Sequence, residues 1–196
     1  DLVALEQAGS GQPYTDQLSR YFAWFGGEGG RPIGYFDVGF QGYVNWLDRL
    51  TKAQAVMATA AAVNGGTIGY LCTSWQQGEA DMNLVVGGAT SMQAYLTLLI
   101  EIENITAAAV MSTFSQSWRP LFVIGQMSAH NTYGPTLPDG TVSLAFCNPA
   151  IAIAQWQGTK VSNNIRISNP QYPNDFLNQD PSTTLHMTAQ GHLLQG

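Results

Sequence analysis

Charge is what this chain has least of. Only 10% of its 196 residues are Asp, Glu, Lys or Arg, against roughly a quarter in ordinary soluble domains. Lys52 and Lys160 are its only lysines, and the net charge is −6 with a pI near 4.7. No basic stripe is present to neutralise phosphates, so nucleic-acid binding is not expected. No stretch approaches the roughly 18–20 uninterrupted apolar residues of a bilayer span, so none is expected. Cysteine is scarce too. Cys72 and Cys147 both sit in apolar runs and are expected to be buried, either as free thiols or as a disulfide. Three histidines without a CxxC pair give no metal-ligand spacing, and no metal site is expected. Neither an initiator methionine nor a signal peptide precedes Asp1, so a processed form or a piece of a longer polypeptide is expected.

What replaces charge is Gln, Asn, Ser and Thr. A surface of amides and hydroxyls suits an extracellular, secreted, virion-associated or sugar-facing protein. The length suits one domain, residues 1–196, with a full hydrophobic core. The order of elements is legible. Gln12 to Arg20 reads as a short helix, Tyr21 to Phe25 as a strand, and Gly26 to Ile33 as a glycine-dense loop. Trp46, Leu47, Leu50, Ala53, Val56, Met57 and Ala60 recur at helical spacing from Tyr43 to Val63, and Asn64-Gly65-Gly66 stops that helix. Strands are expected at Ile68–Ser74, Leu121–Ile124 and Ile165–Ile167. Helices are expected at Ser91–Ser115 with Ser91 as N-cap, at Pro149–Gln157 and from His186 to Leu194. Strands and helices alternating at this spacing predict an α/β fold, a doubly wound, flavodoxin-like parallel sheet sandwiched by helices.

The strand from Ile68 to Ser74 runs into Trp75-Gln76-Gln77-Gly78-Glu79-Ala80-Asp81. A hydrophobic strand ending in tryptophan, two amides, a glycine and two carboxylates has no simple packing rationale, and open α/β sheets hold ligands at such strand ends. This segment resembles the WxQGExD signature of SGNH-type hydrolases, specifically the sialate O-acetylesterase-like carbohydrate esterases. Leu185-His186-Met187-Thr188-Ala189-Gln190-Gly191-His192 resembles the family's C-terminal histidine block.

The resemblance implies that His186 is the general base, and that a backbone N–H of Gly29 or Gly30 donates to the oxyanion with the Gln77 amide as second donor. Glu79 and Asp81 are expected to orient the loop near the substrate or to bind neighbouring backbone N–H groups, and Trp75 to be core or pocket wall, while the resemblance implies that Gln126, Ser128 and His130 line the cleft. Asp180 is the nearest acid for a family pattern of DxxH, since Thr183 stands where the aspartate belongs. The implied activity is removal of O-acetyl groups from a polysaccharide or glycan, with no cofactor.

One block is missing. No GDS- or GQS-like nucleophile motif precedes the glycine loop, and Ser10 follows no hydrophobic strand. The first strand and its serine are therefore expected upstream in a longer chain, or in a separate chain, and the protein partners expected are that upstream part or further copies in a homo-oligomer. Other readings stay open: Glu79 and Asp81 as a glycosidase carboxylate pair, Ser128 with His130 as nucleophile and base, or a lipase or thioesterase of the same superfamily. A non-catalytic glycan-binding or structural module of the same fold, such as a phage tail-fibre or tailspike domain, is the competing class.

Overall fold

The computed structural model describes residues 23–24, 26–78, 80–81, 91–126, 130–132, 146–148 and 150–170. Three α-helices are described: α1 (Gln41–Asn64), α2 (Met92–Phe114) and α3 (Ala150–Val161). The strands are β1 (Cys72–Trp75), β2 (Leu121–Gln126), β3 (His130–Thr132), β4 (Phe146–Asn148) and β5 (Ile165–Pro170), and a 3-10 turn spans Ile33–Phe36. The helices expected at 12–20 and 186–194 lie outside the described residues. Ala23 and Trp24, the described part of the expected strand 21–25, are not in regular structure.

Helix ends follow local chemistry. Ser91 accepts a hydrogen bond from the Ala94 N–H (3.0 Å) with its hydroxyl, satisfying one orphan donor of the first turn of α2. Gly65 ends α1 in the left-handed conformation (φ 68°), where the absent Cβ removes the steric cost. Within α2 the buried residues Tyr95, Leu96, Leu99, Ile102, Glu103, Thr106, Ala107, Val110 and Phe114 recur every three or four positions. Length and hydropathy alone would let α2 cross a membrane. Its apolar stripe is instead part of the protein core, with Tyr95, Leu99, Ile102 and Val110 fully buried.

The fold is α/β, as expected. β1, β2 and β5 form a parallel sheet in the order β1-β2-β5, with Cys72 opposite Leu121 and Phe122 opposite Ile165. Helices α2 and α3 cover the face that carries Phe122, Ile124 and Ile165, and these residues share one core with Tyr95, Leu99, Ile102, Ile151 and Ala154. Burying each such side chain contributes on the order of 1.5–3 kcal/mol. A Cβ on Gly158 would stand 3.2 Å from Leu99, so this glycine lets α3 approach α2 closely. On the opposite face Cys72, Leu121 and Arg166 are exposed.

Three expectations need correction. Cys72 is exposed, because it sits on the edge strand and on the face that the described helices leave open. β1 starts at Cys72 rather than Ile68. The Gln116 side chain bonds both the N–H (2.7 Å) and the carbonyl (3.1 Å) of Tyr70, holding that stretch where a strand neighbour would. Lastly, the region after β2 is not a plain continuation of its strand. β3 and β4 pair antiparallel as a separate two-stranded sheet, with His130 opposite Asn148.

Candidate functional site

The segment Trp75–Asp81 lies at the carboxyl end of β1. β1 ends at Trp75, Gly78 turns the chain with φ 149°, and Ala80 and Asp81 are already helical. A backbone at that φ favours glycine, which accounts for Gly78.

Around this turn four buried hydrogen-bonding side chains meet. The Gln77 amide donates to the Arg31 carbonyl (3.0 Å) and to the Asp81 carboxylate. Asp81 also accepts the Ile33 N–H (2.8 Å). Tyr95 on α2 places its hydroxyl 3.0 Å from Gln77 Oε1, as donor. Gln155 on α3 donates to the Gln77 backbone carbonyl (2.9 Å) and to the Tyr95 hydroxyl (3.3 Å). Gln77 has only one orientation that suits these neighbours. Its two acceptor contacts, a carbonyl and a carboxylate, require the NH2, and the Tyr95 hydroxyl requires the oxygen.

The network reaches the glycine loop. Arg31 and Ile33 lie just after Gly29 and Gly30, so two of the expected blocks are brought together through direct hydrogen bonds. Arg49 donates to the Gly27 carbonyl (3.1 Å), while Glu28 accepts from Asn45 (2.5 Å) and from Tyr35 (3.0 Å). The loop is thus held by α1 at one end and by the sheet edge at the other. Gly30 adopts φ +70°, and neither Gly29 nor Gly30 has a neighbouring atom within 4 Å of where a Cβ would sit. Both residues are exposed.

Electrostatics differ at the two ends of the loop. Burial raises the Asp81 carboxyl above the usual aspartate range, and the bonds from Gln77 and Ile33 pull it back. Glu28 is lowered, chiefly by hydrogen bonds from Asn45 and Tyr35. Tyr35 is raised by desolvation and by its bond to Glu28, and Arg31 stacks over its ring at 4.8 Å.

The structure shows how several of the expected site residues are held. Gln77 was expected as an oxyanion donor, but both of its amide hydrogens are engaged within the protein and it is 7% exposed. In this arrangement it is a clamp. Asp81 is 1% exposed and serves the same clamp. Trp75 packs edge-on against Phe36 (5.3 Å) and tilted on Phe122 (5.5 Å), so it joins the core as well as lining a cleft. Its indole N–H is buried with no hydrogen-bond partner among the described residues. Gln126 at the end of β2 donates to the Ala152 carbonyl of α3 (2.9 Å), tying strand to helix. His130 stands in β3, outside the parallel sheet. Glu79, Ser128, Asp180 and His186 lie outside the described residues.

Tyr95, Gln155, Glu28, Asn45 and Arg49 were not picked out in the sequence. A buried Tyr on an apolar helix face and a Gln in the middle of Ala150–Val161 were the available signals, each a polar group demanding a partner. Among the described residues no group of three or more His, Cys, Asp or Glu could hold a metal ion. No protein-family model, curated protein or solved structure matches the chain.

Proposed function

We propose that the chain is a carbohydrate O-acetylesterase of the SGNH type, working by a serine-esterase mechanism on an acetylated polysaccharide or glycan. The observation that carries this reading is the junction of the WQQGEAD turn with the glycine loop at the carboxyl end of a parallel strand, where Gln77 and Asp81 hold Arg31 and Ile33. Ligands of open α/β sheets bind at that edge. Held from both sides, the loop offers the backbone N–H groups of Gly29 and Gly30 as preorganised oxyanion donors, a contribution typically worth about 2.7–4 kcal/mol per donor.

In this mechanism His186 takes the proton from a serine hydroxyl, with Asp180 orienting the imidazole. The serine oxygen bonds to the ester carbonyl carbon and the sugar oxygen leaves with the proton. Water, deprotonated by the same histidine, then releases acetate. Gln77 and Asp81 act on this site through the loop they hold.

Labelling with a fluorophosphonate, followed by peptide mass spectrometry, tests the reading. On the full native material, a single labelled serine outside residues 1–196, with labelling lost in His186→Ala, is the expected result. Failure to label, with acetylated glycan still bound, would leave a binding module. A label on Ser128 that persists in His186→Ala would replace the proposed site with another.

A further inference from the structure

Two residues far from the glycine loop in sequence reach it through Gln77. Tyr95 stands in the first turn of α2 and is fully buried, on the stripe that also carries Leu99 and Ile102. Gln155 is fully buried on the face of α3 that carries Ile151, Ala154 and Gly158. An amide on the apolar face of a helix costs stability unless its hydrogen bonds are met there. Gln155 meets them at the carboxyl end of β1, donating to the Gln77 carbonyl (2.9 Å) and to the Tyr95 hydroxyl (3.3 Å). Helix packing brings these side chains together. Gly158 and Leu99 stand one turn further along α3 and α2, and a Cβ on Gly158 would meet Leu99 at 3.2 Å. The missing side chain lets the helices close up, so that Gln155 reaches Tyr95.

The direction of these bonds is fixed. The Tyr95 hydroxyl accepts from Gln155 and has one hydrogen to give. Gln77 Oε1 lies at 3.0 Å, and the Gln77 carbonyl, which already accepts from Gln155, at 3.2 Å. Donation to Oε1 holds the Gln77 amide with its NH2 toward the Arg31 carbonyl (3.0 Å) and the Asp81 carboxylate. Asp81 in turn accepts the Ile33 N–H (2.8 Å). The chain of bonds therefore runs one way, from α3 through α2 to the residues that anchor the glycine loop. In a buried chain of this kind each bond polarises the next, so loss of one member is felt at the others.

We propose that Tyr95 and Gln155 are positioning residues of the glycine loop, setting through Gln77 where the backbone of Gly29 and Gly30 stands. The relay is a property of the fold; that the loop so held serves an oxyanion rests on the esterase reading.

Tyr95→Phe keeps the ring and removes the hydrogen given to Gln77, while Gln155→Met keeps a similar volume and removes both donations. Amide hydrogen exchange in the full chain, read by NMR, compares two sites. The Ile33 N–H ends the relay, and the Phe122 N–H bonds the Asn164 carbonyl in the sheet (2.9 Å). Each variant is expected to speed exchange at Ile33 about tenfold, and at Phe122 by a smaller factor. Equal factors at the two amides, or no change at either, would overturn the proposal and leave Tyr95 and Gln155 as core residues only. Since both act in one chain, the double variant should speed Ile33 by less than the product of the single factors. A full product would show independent contacts and overturn the relay. The rate of fluorophosphonate labelling, on the full native material, separates this proposal from the esterase reading. Where the wild type labels, both variants are expected to label more slowly, and unchanged rates would overturn the positioning role. A wild type that does not label would sink the esterase reading, and the exchange at Ile33 and Phe122 would alone decide the relay.

Discussion

Gln77→Ala separates the two things this amide could be. As a clamp it holds Arg31 and Asp81 and accepts from Tyr95; as an oxyanion donor it would matter only to the transition state. Truncation leaves the 1%-exposed Asp81 with the Ile33 N–H as its remaining described partner and deprives the Tyr95 hydroxyl of Gln77 Oε1. An orphaned buried polar group costs about 1–3 kcal/mol, more when charged. Two such groups, together with the lost packing, suggest a destabilisation of about 3–5 kcal/mol, a large share of the roughly 5–15 kcal/mol that holds most domains folded.

In urea, with a slope of about 2 kcal/mol/M, the midpoint should fall by roughly 1.5–2.5 M. Gln126→Ala is the control. It removes one bond from a half-buried amide to Ala152 and should cost only about 0.5–1.5 kcal/mol. Because Gln77 and Asp81 act on the same loop, Asp81→Ala should not add its full cost to Gln77→Ala. A Gln77→Ala midpoint equal to wild type, with the proposed esterase activity lost, would refute the clamp and restore the amide to the oxyanion.

Stability against pH should carry two opposite contributions from the ends of the glycine loop. Asp81 is raised above its ordinary value of 3.8, so its contribution is full below that value and is lost as pH rises through the higher folded value. Glu28 is lowered, so its contribution is present above its ordinary 4.5 and is lost as pH falls through the folded value. Acid titrations of Asp81→Asn and Glu28→Gln, followed by thermal melts, should flatten the two slopes separately. Arg119→Ala should cost about 3–5 kcal/mol in denaturant melts, because it strands Glu103, whose side chain is 2% exposed, without its two-pronged partner. The exposed pair Lys52–Asp48 should yield under about 0.5 kcal/mol on Lys52→Ala. Ser91→Ala should lower stability by about 1 kcal/mol through the lost cap of α2.

Periodicity and punctuation made the frame legible. The Ser91 cap and the Asn64-Gly65-Gly66 stop fall where the sequence puts them, because their chemistry is local. β1 was misjudged at its start because Gln116, distant in sequence, takes the place of a neighbouring strand beside Tyr70. The β3–β4 pair was invisible for a related reason, since three-residue strands carry too short a pattern to show alternation. Cys72 misled through its composition. An apolar run reads as buried only when both faces and both edges of its strand are covered.

The signature at the end of β1 shows why site residues are harder to assign than folds. Sequence singles out Gln77 and Asp81 because amides and acids at a strand end need a reason, but two reasons satisfy that need equally well. Either their polar groups face an absent substrate, or they meet partners supplied by distant elements. Tyr95 from α2, Gln155 from α3 and Arg31 from the loop supply those partners here. The positioning of the loop is therefore built from residues whose polar groups bond to one another within the protein. In the proposed mechanism the oxyanion donors are then the backbone N–H groups of Gly29 and Gly30. The carboxylate and amides behind them set how rigidly that backbone is presented.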